Sequence, residues 1–301
     1  MNKNKSFKIY SAAVISHVFW GFSFMASRIA LNSTDVILVL SHRFLLAVAA
    51  MSLLPLSGLA KLNLKGKPIL PLIALGLAEP VIYFFGEQYG ILHSTTIFSG
   101  VMIAMIPIVS TVAAAPLLGE RPGAGQLLFG LLSVGGVVGV GLMSKSQGTL
   151  DWIGVAALVV AVLSACAYTL LSRGISGRFS PFERTYMVMA VGAAVFTALA
   201  LLRCRGSAAA YFLPFAQPRY ALAILFLALC CSVAAYFLSA YSITHLPVAQ
   251  ATVFLNLTTA VSVFAGVVFL REPLTWTGLA CCALILLGIY GVQRSSRKED
   301  S

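Results

Sequence analysis

The chain has 301 residues, of which 59% are hydrophobic and only 10% are charged, with a formal net charge of +11. A water-soluble domain carries charge at roughly a quarter of its positions, so a mean hydropathy of +0.95 excludes a soluble fold and indicates an integral membrane protein. The basic residues lie in short clusters between apolar runs, a pattern that orients a chain in a bilayer and gives no reason to expect a nucleic-acid partner.

The segment "MNKNKSFK" leads into an apolar run over about residues 8–31. That run is too long for a signal-peptide core and lacks a cleavage site, so it reads as a retained first helix. Crossing a hydrocarbon core takes about 20 apolar residues. Further runs of that kind follow at 36–57, 69–92, 97–118, 123–143, 151–172, 182–203, 219–243, 248–270 and 274–293. The expected fold class is an all-α integral membrane protein with ten transmembrane helices. Six cysteines sit mostly inside the runs with no C-x-x-C spacing. They read as small buried hydrophobes, and neither a metal nor a cofactor is expected.

With the N-terminus in the cytoplasm, 13 Lys and Arg residues fall in inside segments and 5 outside, while Arg28 and Arg43 lie within spans. The positive-inside rule then places both termini in the cytoplasm of a multi-pass protein of the cytoplasmic (inner) membrane, with 294–301 as a cytoplasmic tail. The halves also repeat. "YGILHST" at 89–95 aligns with "YSITHLP" at 241–247, and the same offset of 152 puts Glu120 of "LLGERP" on Glu272 of "FLREPL" and Gly136 on Gly288. Five spans per half is an odd number, so the repeats, 8–143 and 151–293, are expected to insert with opposite orientation. Inverted repeats are a mark of secondary transporters, whose substrate sites lie near the midplane where the halves meet.

Three stretches carry a family resemblance: "FWGFSFMASRIAL" in the first span, "HRFLLA" in the second, and the "LLGERP" and "FLREPL" ends of spans four and nine. Their order and spacing resemble the drug/metabolite transporter superfamily, in its branch with two EamA domains. The resemblance covers roughly 10–143 and 151–293. It implies ten helices, alternating access across a central cavity, and export of amino acids, nucleosides or other small metabolites. One departure is Thr259, which aligns with Pro107 where the ninth helix of such proteins usually has proline, so a kink is not expected there.

The third span, "LGLAEPVIYFFGEQYGILHS", carries Glu79 and Glu87. An ionised carboxylate at membrane depth costs several kcal/mol unless it is paired or faces water. Counting about 1.5 Å per residue from the outer end, Glu79 lies roughly 20 Å down, near the midplane. The i, i+4, i+8 spacing sets Glu79, Tyr83 and Glu87 on one stripe, and Pro80 marks a kink beside Glu79. The offset carries the three onto Cys231, Ala235 and Ser239, so the architecture alone does not require the acids. His17 is level with Glu79, and Arg43 with Glu87. Two readings stand for these groups: substrate binding or proton coupling at Glu79 with Tyr83, His17, Trp20 and Asn256, and a structural ion pair between Arg43 and Glu87. Tyr168, Tyr236 and Gln250 read as hydrogen bonds between helices, His93 and His245 as a repeat signature, and Glu120 and Glu272 as helix caps. "GGVVG" at 135–139 reads as close helix packing.

The expected function is secondary active export of a small metabolite, possible proton coupling included, by a protein that is not an enzyme. An intramembrane lipid-modifying enzyme would need clustered acids or a Ser/His/Asp set at one interface, and neither is present. No Walker A loop occurs. A uniport or channel-like facilitator remains an alternative. An acidic stripe near Trp20, Tyr83 and Phe84 suits a cationic or zwitterionic molecule such as an amino acid or amine. A neutral one exchanged for protons suits it equally.

Overall fold

The computed structural model describes residues 3–58, 60–106, 108–109, 123–146, 151–175, 177–245 and 254–299, and among these every regular element is helical. In hydrocarbon the backbone has no water to bond with, so each segment must satisfy its own N–H and C=O groups, which a helix does. The helices are α1 (Lys3–Leu31), α2 (Val36–Leu56), α3 (Leu70–Leu92), α4 (Thr96–Ile103), α5 (Ala124–Ser146), α6 (Trp152–Ile175) and α7 (Pro181–Arg203). After a short helical connection at Ala208–Phe212 come α8 (Pro218–Leu225, Phe226–Ala234 and Ala235–His245), α9 (Leu255–Leu270) and α10 (Trp276–Glu299).

Seven of these are long and apolar enough to cross a membrane, and Leu257–Leu270 and Trp276–Gly291 are shorter apolar helices. The expected spans at 97–118 and 248–270 lie partly outside the described residues, so the fold is a multi-pass helical membrane protein whose count of ten is not fixed by them. The α-helical part of α4 ends at Ile103, whose carbonyl a proline at 107 has no N–H to bond. In contrast, α9 runs unbroken through Thr259.

The polarity pattern is that of a membrane protein. Leu128, Leu131 and Trp152 are exposed, whereas Ser16, His17, Ser27, Ser41, His42, Arg43, Glu87 and Gln88 are buried. Lipid solvates leucine as well as a protein core does, so packing contacts and hydrogen bonds between helices, rather than hydrophobic burial, hold the bundle together. Local signals set the helix starts. Asp35 accepts from Ile37 and Leu38 N–H at α2, and Ser180 and Glu183 form a reciprocal capping box at α7 behind Pro181. Ion pairs hold α7 at both ends: Glu183 pairs with Lys67 Nζ, in the loop before α3, at 2.8 Å, and Arg203 Nε with Asp35, the cap of α2, at 2.8 Å.

The packing follows the offset of 152. The helix α2 packs on α7, α5 on α10, and α4 on α9. The contacts of α3 with α6 and α7 are matched by those of α8 with α1 and α2, and α4 with α6 by α9 with α1. Phe44 stacks on its equivalent Phe196, with centroids 5.9 Å apart and planes 16° apart. A Cβ on Gly136 would sit 2.6 Å from Ile285 and 2.8 Å from the Cys281 carbonyl; one on Gly288 would sit 2.7 Å from Ser133 and from the Phe129 carbonyl. Phe129 and Ser133 are the offset equivalents of Cys281 and Ile285. Both halves therefore pack about an approximate two-fold axis, and glycine at these positions lets α5 and α10 approach backbone to backbone.

Candidate functional site

The helix α3 is not regular. Its segment Leu77–Ile82 is π-helical, and Glu79, at φ −138° and ψ 117°, leaves helical geometry altogether. Pro80 explains part of this, because its ring removes a donor and clashes with the preceding turn. The other half carries a π-helical stretch too, Phe226–Ala234 in α8, and the offset lays 77–82 on 229–234. Such breaks recur at functional sites because they free backbone and re-aim side chains. Each half thus places one irregular segment at the same point of the repeat, but the two present different residues: Glu79 and Pro80 in α3, Cys231 and Ser232 in α8.

The break turns Glu79 toward the second half. Its Oε1 accepts a hydrogen bond from Tyr236 Oη at 2.6 Å. Glu79, Tyr236 and, on α6, Tyr168 are each only partly buried. Trp20 lies edge-on to the Tyr236 ring at 5.6 Å, with its Nε1 donating to the Cys231 carbonyl at 3.1 Å. His17 lies edge-on to Trp20 at 5.2 Å, and its Nδ1 stands 2.8 Å from the Ala13 carbonyl of its own helix.

The expected set is brought together in part. Glu79, Trp20 and His17 form one continuous row, but the residue that meets Glu79 is Tyr236, read from sequence as mere helix adhesion, and not His17. Tyr83 belongs to a neighbouring buried cluster, where its Oη donates to Glu87 Oε1 at 3.0 Å and Gln88 Nε2 donates to Glu87 Oε2 at 3.2 Å. The backbone of Asn256 belongs to α9; its side chain, and Gln250 entirely, lie outside the described residues.

The expected ion pair between Arg43 and Glu87 is not formed. Among the described residues the pairs within 4.0 Å are Lys67–Glu183, His93–Asp151 and Arg203–Asp35. Arg43 Nε instead donates to Ser232 Oγ at 3.0 Å, and its guanidinium carbon lies 4.3 Å from the centroid of the Phe84 ring. Equal depth in adjacent helices did not produce contact, because Phe84 and Ser232 offer the guanidinium a cation–π face and a hydroxyl. The positive charge still acts on both carboxylates from a distance.

Apart from this centre, an open cleft of about 610 Å³ is lined by Arg28, His93, Asp151, Arg271 and Glu272, among others. Its residues grip the turn between α3 and α4. Arg28 donates to the carbonyls of Ile91 and Leu92, and His93 pairs with Asp151 at 3.3 Å. Glu272 is a cap, as expected, but for a helix of the other half: it accepts from Thr96 N–H at 2.6 Å and Ile97 N–H at 2.9 Å. Glu120, its equivalent, lies outside the described residues.

Comparison with known proteins agrees with this architecture. A transporter of Bacillus subtilis (strain 168) named "Uncharacterized transporter YcxC" is 33% identical over 308 residues, covering 99% of this chain and 97% of that one. A protein of Streptantibioticus cattleyicolor named "Probable terminal-alkyne amino-acid exporter" is 27% identical over 293 residues, covering 95% of this chain and 93% of that one. One solved crystal structure, 16% identical, superposes with a TM-score of 0.63 over 97% of this chain and 99% of the other, which shows the shared fold. The EamA-like transporter family matches twice, at residues 7–142 and again at 152–294. Two copies of one family unit packed about a two-fold axis, each with a broken helix at the centre, make this chain a member of the EamA-like transporter family.

Proposed function

We propose that the protein is a secondary active transporter that exports a small metabolite, an amino acid, amine or similar, across the cytoplasmic membrane by alternating access. Its two halves, 8–143 and 151–293, are inverted five-helix repeats that rock about the central cavity, with both termini in the cytoplasm. Glu79 is the coupling residue: it binds a proton in one state and exchanges it for substrate in the other. One observation carries this reading above the rest. A carboxylate near mid-span stands on a broken helix, is only partly buried, and is held by a tyrosine of the opposite half. Charge at that depth is expensive, so it is retained where it works.

Tyr83, His17, Trp20 and Asn256 complete the proposed substrate and coupling set. Trp20 and Tyr236 are the aromatic rings whose faces would hold a cationic group. Export is the direction named for the Streptantibioticus cattleyicolor relative. The test uses purified protein in vesicles loaded with mixed amino acids and simple amines, with efflux followed under an imposed pH gradient. Glu79→Gln keeps size and hydrogen-bonding capacity while removing titration. The variant is expected to insert and fold, to lose at least tenfold in transport, and to lose the response to the gradient. Wild-type rates with a wild-type pH response would overturn the proposal.

A further inference from the structure

The two broken helices are equivalent in place, and each meets a charged group of the first half. In α3 the break presents Glu79. In α8 the equivalent position of Pro80 is Ser232, and its hydroxyl oxygen accepts from Arg43 Nε at 3.0 Å. Ser232 Oγ in turn donates to the Leu227 carbonyl, five residues back in the π-helical stretch, at 2.9 Å. Both charged groups belong to the first half, and each is held by a hydroxyl of the second: Glu79 by Tyr236, Arg43 by Ser232.

Arg43 is only 2% exposed, and one of its terminal nitrogens, Nη1, has no hydrogen-bond partner. A buried donor left unmatched is costly, and more so when it is charged. The nearby acid does not relieve it, because Glu87 takes its bonds from Tyr83 and Gln88. The guanidinium is a planar fork suited to two-oxygen anions, and an idle buried donor of this kind calls for an acceptor from elsewhere.

We propose that Arg43 is the anion subsite of the transport site: it takes the carboxylate of the transported molecule while Glu79 takes the ammonium group. The substrate class is then a zwitterion with both charges on one small body. This rests on the reading of Glu79 as part of the transport site and adds a second pole to it. Phe84, against the guanidinium plane, covers the subsite in the state seen, and the carboxylate reaches it as the halves rock. Tyr236 and Ser232 would register the loaded site on the second half.

The experiment is a binding titration on the intact protein in detergent, read as thermal stabilisation. The probes are leucine, leucinamide, isoamylamine and isocaproate, which carry both charges, the ammonium with a neutral amide, the ammonium alone and the carboxylate alone. Phenylalanine and its three analogues form a parallel series. Wild type is expected to bind at least one of the two zwitterions at least tenfold more tightly than its amide or amine. In Arg43→Gln that preference should vanish with amide and amine affinity unchanged. Arg43→Lys, which keeps the charge without the fork, should retain part of it and covers the case in which the Gln variant does not fold. Glu79→Gln should weaken zwitterion and amine alike. Equal binding of zwitterion and amine, lost in Glu79→Gln but indifferent to Arg43→Lys, would refute the role of Arg43 and leave the Glu79 reading standing. No stabilisation by either zwitterion, or a uniform loss for all probes in the Arg43 variants, would also overturn it.

Discussion

Replacing Glu272 with alanine tests whether the two halves are fastened by backbone capping as well as by packing. Its carboxylate accepts the first two free N–H groups of α4, from Thr96 and Ile97, while Thr95 serves Phe98 N–H from within the chain. A hydrogen bond to a charged group contributes about 1.5–3 kcal/mol; a negative charge at a helix N-terminus adds about 0.3–1 kcal/mol. Glu272 is half-buried beside an open cleft, so water replaces part of what is lost. A net cost of about 2–3 kcal/mol follows. For a chain of this size that corresponds to a fall in Tm on the order of 5 °C. The assay is thermal unfolding in detergent together with backbone hydrogen exchange. Exchange should rise selectively at Thr96 and Ile97 rather than along α4 as a whole. Glu272→Gln, which keeps an acceptor and removes the charge, should lie between wild type and alanine. A Tm within about 1 °C of wild type with unchanged exchange at those two amides would refute the capping argument.

Because Arg43 and Glu87 do not touch, a double-mutant cycle with Arg43→Gln and Glu87→Gln should give a coupling energy below about 1 kcal/mol. A value of about 3 kcal/mol would restore the direct pair. Gly136→Val pushes a side chain into Ile285 and the Cys281 carbonyl, and Gly288→Val into Ser133 and the Phe129 carbonyl. Each is expected to lower stability by about 1–3 kcal/mol, and the two together by less than the sum, since either one already separates α5 from α10; strict additivity in thermal unfolding would contradict that contact. For orientation, single cysteines at Ser33 and Lys145 should react with an impermeant thiol reagent outside intact cells, while those at Lys65 and Ser296 should not. Labelling at Ser296 from outside would reverse the proposed topology.

Composition alone determined that this chain lives in a bilayer, because 10% charge cannot cover a soluble surface. The offset of 152 was equally legible: it aligns Gly136 with Gly288, and the structure packs each beneath the other's helix. The weight on Glu79 came from sequence too, since an acid at that depth has few roles open to it. What sequence did not yield was partnership. Depth along a helix is one coordinate, and it made His17 the neighbour of Glu79 and Glu87 the partner of Arg43. Azimuth and helix crossing supply the others. The break at Glu79 turned its carboxylate onto Tyr236, while the Phe84 ring and Ser232 took Arg43. Tyrosine in an apolar span carries no signal that separates packing from function, and only the meeting of α3 with α8 revealed it. Glu272 gave the same lesson: the residue type announced a cap, but the helix it caps lies 176 residues away along the chain, a distance that only tertiary packing of the two halves closes.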